Sequence, residues 1–293
     1  MKIRSSILLV FLVLSACGTR NEDNRFIRDH ARWQEERIER LKSKTGWLNL
    51  AGLYWLEEGE NTFGSDSSNH IIFPEDAPAH LGKYIIENER IRFVPAKGSG
   101  VMHGDTLAGE MEVFTDRSGH TTLLEKGSLA WFIIDRPPRF GIRLRDYEHH
   151  AIEEFRGIET FPPESKWVIH AEFKAYDKPV EIMVPTVMGT VEKKLCPGIL
   201  SFKIGDVEQE LYPTEAGKSL FIIFADETSS IETYGGGRFL YIDKPEKEGD
   251  VIIDFNRAYN PPCAFTPFAT CPLPPRENFL SVRIEAGEKF SGH

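Results

Sequence analysis

One stretch near the C-terminus reads Asp254-Phe255-Asn256-Arg257-Ala258-Tyr259-Asn260-Pro261-Pro262-Cys263. The run that leads into it alternates apolar and other residues, with Val251 and Ile253 on one side of an extended chain. Alternate residues of a strand share a face, so Asp254 and Asn256 are expected to project together from the opposite face. The pattern predicts a strand with one buried face and polar side chains at its end.

A stiff loop is predicted after this strand, because proline fixes its own backbone angle and restricts the residue before it. Pro261 and Pro262 therefore constrain Asn260, and a second proline-rich run begins after Cys271. Two interpretations of the cysteines stay open. Cys263 and Cys271 form a disulfide that staples a structural plug, or Cys263 is a free thiol within a preorganised site.

Short runs rich in Val, Ile, Phe, Tyr and Trp, bounded by Gly, Pro, Asp and Asn, occupy most of the remaining chain. They predict a mainly β fold, an antiparallel β-sandwich or barrel in two halves. The interruption Phe161-Pro162-Pro163 places the first half at residues 45–157 and the second at 158–293, which carries the motif Asp254–Pro275. The last strand is expected at Leu280–Ile284.

The N-terminus has the pattern of a secretory signal peptide over residues 1–16. Lys2 and Arg4 precede an apolar run that is too short to span a bilayer as a helix. The sequence Leu14-Ser15-Ala16-Cys17 resembles the bacterial lipobox, which implies cleavage before Cys17 and a lipid on that residue. The protein is then expected in the bacterial cell envelope, on the periplasmic face or the outer membrane, held to the membrane by the lipid.

Residues 17–24 are polar and are predicted to form a tether, and residues 25–44 have helical periodicity. The apolar positions of this helix recur at spacings built from three and four residues: Ile27, Ala31, Ile38 and Leu41. An amphipathic helix is therefore predicted, with these residues packed against the first β-half.

Composition and motifs exclude several classes of function. The formal net charge of −10 argues against nucleic acid as a partner, because phosphate contacts need clustered Lys and Arg. The chain has no G-x-S-x-G elbow and no H-E-x-x-H motif. Neither a cofactor nor a metal site is predicted.

Two arginine motifs are candidates for ligand binding. Arg143 and Arg145 alternate with apolar residues, so they share a strand face and could clamp a carboxylate or phosphate. The alternative is a solvated face with surface ion pairs. Arg238 follows Gly235-Gly236-Gly237, which permit a tight turn or the close approach of a ligand. Asp226 could hold Arg238 at the rim of a cleft or close a loop of its own.

The motifs together resemble those of the bacterial and archaeal domain-of-unknown-function family 1684. The resemblance extends from about Trp47 to Gly287 and implies no established activity. This chain departs from the pattern at Ser230, where the resemblance leads us to expect a glycine. The matching segments are Gly52–Leu56, Gly64-Ser65, Arg143–Asp146, Thr233–Arg238 and Asp254–Pro275.

Three hypotheses of function follow. The first is an envelope lipoprotein with a polar pocket for a small anionic or polar ligand, formed by Arg143, Arg145, Arg238, Asp254, Asn256, Arg257, Tyr259 and Asn260. The second is a hydrolase in which Asp254 is the general base or Cys263 the nucleophile. The third is a non-catalytic structural or interaction module, in which the motifs only stabilise the fold.

Overall fold

The structure, a computed structural model, describes residues 15–290, with side chains from Asn24 onward. Most of the predicted signal peptide and the side chain of Cys17 lie outside the described residues. The fold is mainly β, with antiparallel sheets and one long N-terminal helix, as predicted. No helix within the described residues is long and apolar enough to cross a membrane.

Helix α1 covers Ser15–Lys42. The strands that follow it are β1 Leu50–Trp55, β2 Gly59–Gly64, β3 Ile71–Ile72, β4 Gly82–Glu87, β5 Arg90–Pro95, β6 Met102–His103, β7 Thr106–Leu107, β8 Met111–Glu112, β9 Leu124–Lys126, β10 Leu129–Arg136 and β11 Arg139–Asp146. After the short helix α2, His150–Glu154, come β12 Val168–Pro185, β13 Val191–Ile204, β14 Val207–Leu211, β15 Thr214–Ala216, β16 Ser219–Phe224, β17 Arg238–Asp243 and β18 Gly249–Asp254.

These elements group into two compact units. One comprises α1 up to Glu39, Gly157–Ala264 and the chain from Thr270 onward, and it is called the C-terminal unit below. The other, the N-terminal unit, comprises Arg40–Arg156 together with Phe265–Ala269. The greater part of α1 therefore belongs to the same unit as most of the motif-rich second half.

Two open sheets share the core of the N-terminal unit. Their strand orders are β1-β11-β10-β9-β6-β7 and β3-β2-β4-β5-β8, and neighbouring strands are antiparallel except for β2 and β3. Phe63 stands at the centre of the core, with ring centroids 5.2 Å from Tyr84 and 5.7 Å from Trp131. The Trp131 indole donates to the Tyr84 hydroxyl over 3.1 Å, which satisfies a buried donor.

Two further open sheets, β14-β13-β12-β18 and β15-β16-β17, contribute to the core of the C-terminal unit. The alternation around the stretch quoted first is observed: Val251 and Ile253 are buried, whereas Ile252 is 46% exposed. Phe255 continues the buried side and packs edge-on against Phe224, with ring centroids 5.4 Å apart. This core fixes the position at which β18 ends and the polar stretch begins.

Helix α1 is longer than predicted. It begins at Ser15, so the backbone of residues 17–24, expected as a tether, is helical. The helix ends at Lys42, and the chain leaves it through a turn in which the Gly46 N–H donates to the Ser43 carbonyl over 2.8 Å.

The buried side of α1 also differs from the prediction. Ile27 is 51% exposed and Ala31 is exposed, whereas His30, Arg37 and Leu41 are buried. The prediction of the buried side was wrong because it was based on apolar residues alone. Arg37 is buried because the C-terminal unit supplies hydrogen-bond partners for its guanidinium.

The strand predicted at Leu280–Ile284 does not form, although both end residues are buried. Its backbone serves buried side chains instead. The Ile284 N–H donates to Asp226 Oδ2 over 2.6 Å, and the Ile284 carbonyl accepts from Arg238 Nη2 over 3.0 Å. The segment is irregular because these bonds replace those of a sheet ladder.

Two residues of the loop before β17 have left-handed backbone angles. Gly237 has a φ of 81°, and a Cβ atom at this position would lie 2.6 Å from the Phe224 carbonyl oxygen. Ser230 has a φ of 65°, in the region that glycine occupies without a steric cost. A glycine is thus the residue that the geometry favours at position 230, as the family resemblance leads one to expect.

We expect Ser230→Gly to raise the free energy of unfolding by up to about 1 kcal/mol, because it relieves the left-handed strain.

Gly237→Ala should lower the free energy of unfolding by about 1–3 kcal/mol or more, since strain and the clash with Phe224 add. Gly205→Ala is the control, because Gly205 has a φ of 59° and open space around a Cβ. Denaturant unfolding in which Gly237→Ala costs no more than Gly205→Ala would contradict the role of close packing.

Candidate functional site

The side of α1 that faces the C-terminal unit is polar. His30, Gln34 and Arg37 follow one another at helical spacing and form a single stripe. Gln34 Nε2 donates to Thr160 Oγ1 over 2.9 Å. Thr160 is itself paired with Glu288 by an antiparallel backbone bridge. Helix α1 therefore contacts a pair of segments that lie far from it in sequence.

Arg37 of α1 and Glu288 form a buried ion pair. Arg37 Nε donates to Glu288 Oε1 over 3.0 Å, and the two side chains are 8% and 1% exposed. Arg37 Nη2 also donates to the Asn260 carbonyl over 2.9 Å, and the Asn260 N–H donates to Glu288 Oε2 over 2.6 Å. The guanidinium lies 4.7 Å from the ring centroid of Tyr259, a cation–π distance.

The pKa of Glu288 is raised within this network, with burial the largest cause. Burial raises the pKa of its carboxyl group, and the Arg37 guanidinium and the Asn260 N–H lower it in opposition. Both carboxylate oxygens accept a hydrogen bond, one of them from a cation, which is the arrangement that stabilises the charged form. Removal of one partner from such a pair typically costs about 3–5 kcal/mol, because the other charge stays buried.

A cavity of about 110 Å³ lies against the ion pair, within the C-terminal unit. Residues of α1 line one part of it, and Glu288 and the segment that pairs with Glu288 line the rest. Its lining residues are Trp33, Gln34, Arg37, Ile38, Ile158, Thr160 and Glu288. The lining combines an aromatic ring, two aliphatic side chains and hydrogen-bonded polar groups.

His30 lies one turn before this cavity and is 4% exposed. Neither ring nitrogen has a hydrogen-bond partner among the described residues. Its ring is tilted against that of Trp33, with centroids 5.6 Å apart. Burial lowers the pKa of His30, Asp254 raises it and Arg257 lowers it, so the buried imidazole is neutral at pH 7.

Two of the predicted site residues, Asp254 and Arg257, lie near His30 at the end of β18. Arg257 Nε is 3.3 Å from Asp254 Oδ2, and Asp254 Oδ1 accepts from the N–H of Asn256 over 3.1 Å, which caps the 3₁₀ turn Phe255–Arg257. The candidate general base is therefore already bonded within its own turn.

Asn256 serves the fold. It is fully buried, its Oδ1 accepts from the Glu164 N–H over 3.0 Å, and its Nδ2 donates to the Glu164 carbonyl over 3.0 Å. Its Nδ2 also donates to Asp254 Oδ1 over 2.9 Å. The predicted shared face of Asp254 and Asn256 is thus occupied by internal hydrogen bonds.

Arg238 is a buried, fold-stabilising residue rather than a ligand contact at a cleft rim. It is 1% exposed, and its Nη2 donates to Asp226 Oδ1 over 3.0 Å. Its Nη1 donates to the Ala286 carbonyl. Asp226 also accepts from the Thr228 hydroxyl over 2.9 Å. Burial lowers the pKa of Arg238, and Asp226 raises it.

Arg143 and Arg145 lie in the N-terminal unit, whereas the other six predicted ligand-binding residues lie in the C-terminal unit. Both arginines are buried rather than solvated. Arg145 Nη1 donates to Asn49 Oδ1 over 2.6 Å and to the Gly46 carbonyl. Burial, with Arg136 adding to it, lowers the pKa of Arg143 to about 10.

Cys263 and Cys271 form a disulfide. The interpretation of Cys263 as a nucleophile is wrong for this state, because a disulfide sulfur is not a thiolate. Cys196, the free cysteine among the described side chains, is buried and donates to the Gly198 carbonyl over 3.0 Å. No group of three or more His, Cys, Asp or Glu residues within the described chain is placed to hold a metal ion.

Sequence reasoning missed His30, Gln34, Arg37 and Glu288. The spacing in the helix could have identified three of them, because His30, Gln34 and Arg37 lie at intervals of three and four residues in a series that ends at Leu41. Nothing in the sequence points from Arg37 to Glu288, which lies 251 positions further along the chain.

The C-terminal unit thus defines a β-domain with a helix docked through buried polar groups. Residues 153–289 match the model of a family described as "Protein of unknown function (DUF1684)". This match confirms, for residues 153–289, the resemblance to that family found in the sequence. The resemblance was expected to begin near Trp47, and residues before 153 lie outside the match.

A comparison with curated proteins gives no match. Among solved structures, the chain is similar to the solution NMR structure of an uncharacterized protein from gene locus rrnAC0354 of Haloarcula marismortui. The two are 26% identical, with a TM-score of 0.41, over 48% of this chain and 80% of the archaeal one.

Acid is expected to destabilise the protein through His30. Because burial lowers the pKa of the folded residue, the unfolded chain binds more protons below about pH 6.5, and the free energy of unfolding falls as pH drops through that value. His30→Phe keeps a ring beside Trp33 and cannot titrate, so denaturant unfolding at pH 8 and pH 5 should show a smaller loss. His170→Phe, at an exposed strand position, is the control. Equal pH dependence in His30→Phe and the unaltered protein would contradict this role.

Proposed function

We propose that the protein is a non-catalytic lipoprotein of the cell envelope that binds a small polar ligand in the cavity beside Arg37. The observation that carries the proposal is the cavity itself, which is bounded by hydrogen-bonding side chains of α1 and the Thr160 segment. Of the predicted site residues, Tyr259 and Asn260 support this wall through Arg37. Arg143, Arg145 and Arg238 are buried, and Arg257 is an exposed partner of Asp254.

Binding is favoured over catalysis by the state of the two candidate catalytic residues. Cys263 is held in a disulfide, and Asp254 accepts hydrogen bonds from Asn256 and pairs with Arg257. A hydrolase needs a nucleophile within reach of a base, or a base free to take a proton from water. Neither Cys263 nor Asp254 meets that requirement in this arrangement.

The envelope location rests on the lipobox resemblance at Cys17. The length of α1 sets the distance between this proposed anchor and the first buried residue of the helix. Cys17 and His30 are separated by 13 positions of continuous helical backbone. At about 1.5 Å per residue, this arm has a length of about 20 Å. A lipid on Cys17 would therefore hold the first buried contact of α1 about that far from the membrane anchor.

Binding is tested by following the Trp33 indole N–H by NMR while a mixture of small neutral, anionic and cationic polar compounds is added. Trp33→Phe identifies the signal among the five tryptophans. We expect a saturable shift that is lost in Ile158→Phe, which fills the cavity, and kept in Ile252→Phe, at a half-exposed strand position. The absence of any saturable shift of Trp33 would overturn the proposed site.

Lipid anchoring is tested by Cys17→Ser, expressed from the complete precursor. The change removes the thiol that would carry the lipid, so the protein should move from the membrane fraction to the soluble fraction. Cys196→Ser, at a buried site remote from the lipobox in sequence, is the control. Membrane association that is equal in the Cys17 variant and the unaltered protein would contradict a lipid anchor at this residue.

A further inference from the structure

We infer that the ligand of the cavity is a compact, uncharged molecule that presents an amide group and a small alkyl portion, rather than an anion. This rests on the proposed binding role and adds the chemical class of the ligand. Three observations carry it: the charge balance of the ion pair, the hydrogen-bonding pattern of the polar wall and the size and lining of the cavity.

The charges that line the cavity neutralise each other. Arg37 and Glu288 are 3.0 Å apart, and a second nitrogen of Arg37 donates to the Asn260 carbonyl. The nearest basic residue in sequence, Lys289, directs its ammonium group to the Phe161 ring, 5.1 Å from the centroid. Arg37, the cation among the lining residues, is already paired, so an anion would be desolvated beside the Glu288 carboxylate without a new positive partner, which is unfavourable.

The polar wall offers both donors and an acceptor to a ligand. One N–H of Gln34 Nε2 is donated to Thr160 Oγ1, which leaves the second N–H and the Thr160 hydroxyl proton as donors and the Gln34 carbonyl oxygen as an acceptor. If the Gln34 amide were flipped, Thr160 would donate to its oxygen, and the amide N–H groups and the Thr160 oxygen would still offer both donors and an acceptor. An amide supplies both complements, whereas a carboxylate only accepts and an amidinium only donates.

The rest of the cavity limits the size of the ligand and requires an apolar part. Trp33, Ile38 and Ile158 contribute the apolar part of the lining. A dry cavity of about 150 Å³ is known to hold benzene, so about 110 Å³ accommodates a group of roughly four to six heavy atoms. Acetamide and its small homologues fit both limits, either free or as the end group of a larger molecule.

The test uses three probes of the same shape: acetamide, acetate and acetamidinium. Each is titrated into the full mature chain while the Trp33 indole N–H is followed by NMR. We expect acetamide to bind about tenfold or more tightly than either ion, the ratio that one unmatched hydrogen bond of about 1.4 kcal/mol produces. Thr160→Val should weaken acetamide binding about tenfold, Thr160→Ser should restore it, and Thr214→Val, elsewhere in the same unit, should leave it unchanged.

The outcomes separate this inference from the proposed function. Tighter binding of acetate or acetamidinium would overturn the ligand class and leave the binding role in place. No saturable response of Trp33 to any of the three probes, or an equal response in Ile158→Phe, would overturn both. Acetamide binding that is unaffected by Thr160→Val would also contradict the inference, because the polar wall would not be recognising the amide.

Discussion

The buried carboxylate of Glu288 is the constraint on which the C-terminal unit depends. Its two oxygens accept from Arg37 on α1 and from the Asn260 backbone, and its own backbone pairs with Thr160. Three segments far apart in sequence therefore meet at one residue. Because a buried charge without a partner costs several kcal/mol, the position of α1, the end of the proline-stiffened stretch and the wall of the cavity are fixed together.

A second buried ion pair, Arg238 with Asp226, organises the other end of the same segment. It orders the irregular chain at Ile284 and Ala286 by donating to their carbonyls. At Ile284 the Arg238–Asp226 pair replaces the ladder of a regular strand with specific hydrogen bonds. Polar contacts of this kind specify one arrangement more narrowly than apolar packing does, since an alternative arrangement would leave charges unmatched.

The sequence predicted the β fold and the buried face of β18, because alternation along a strand is a local property of neighbouring residues. It also indicated that Asp226 could orient Arg238, which lies close by in the chain. It failed where burial depends on a distant partner. The apolar periodicity of α1 pointed to Ile27, whereas the buried side is set by Arg37 and its partner Glu288, and no local pattern identifies that partner.

The central claim, that the Glu288 carboxylate fastens α1 to the C-terminal unit, is tested most directly by native-state hydrogen exchange of the α1 amides in Glu288→Gln. With about 3–5 kcal/mol lost from the pair, exchange of the amides between His30 and Ile38 should accelerate by roughly a hundredfold or more. Glu285→Gln, which removes an exposed carboxylate of the same segment, should leave them unchanged. Equal protection of these amides in Glu288→Gln and the unaltered protein would contradict the account.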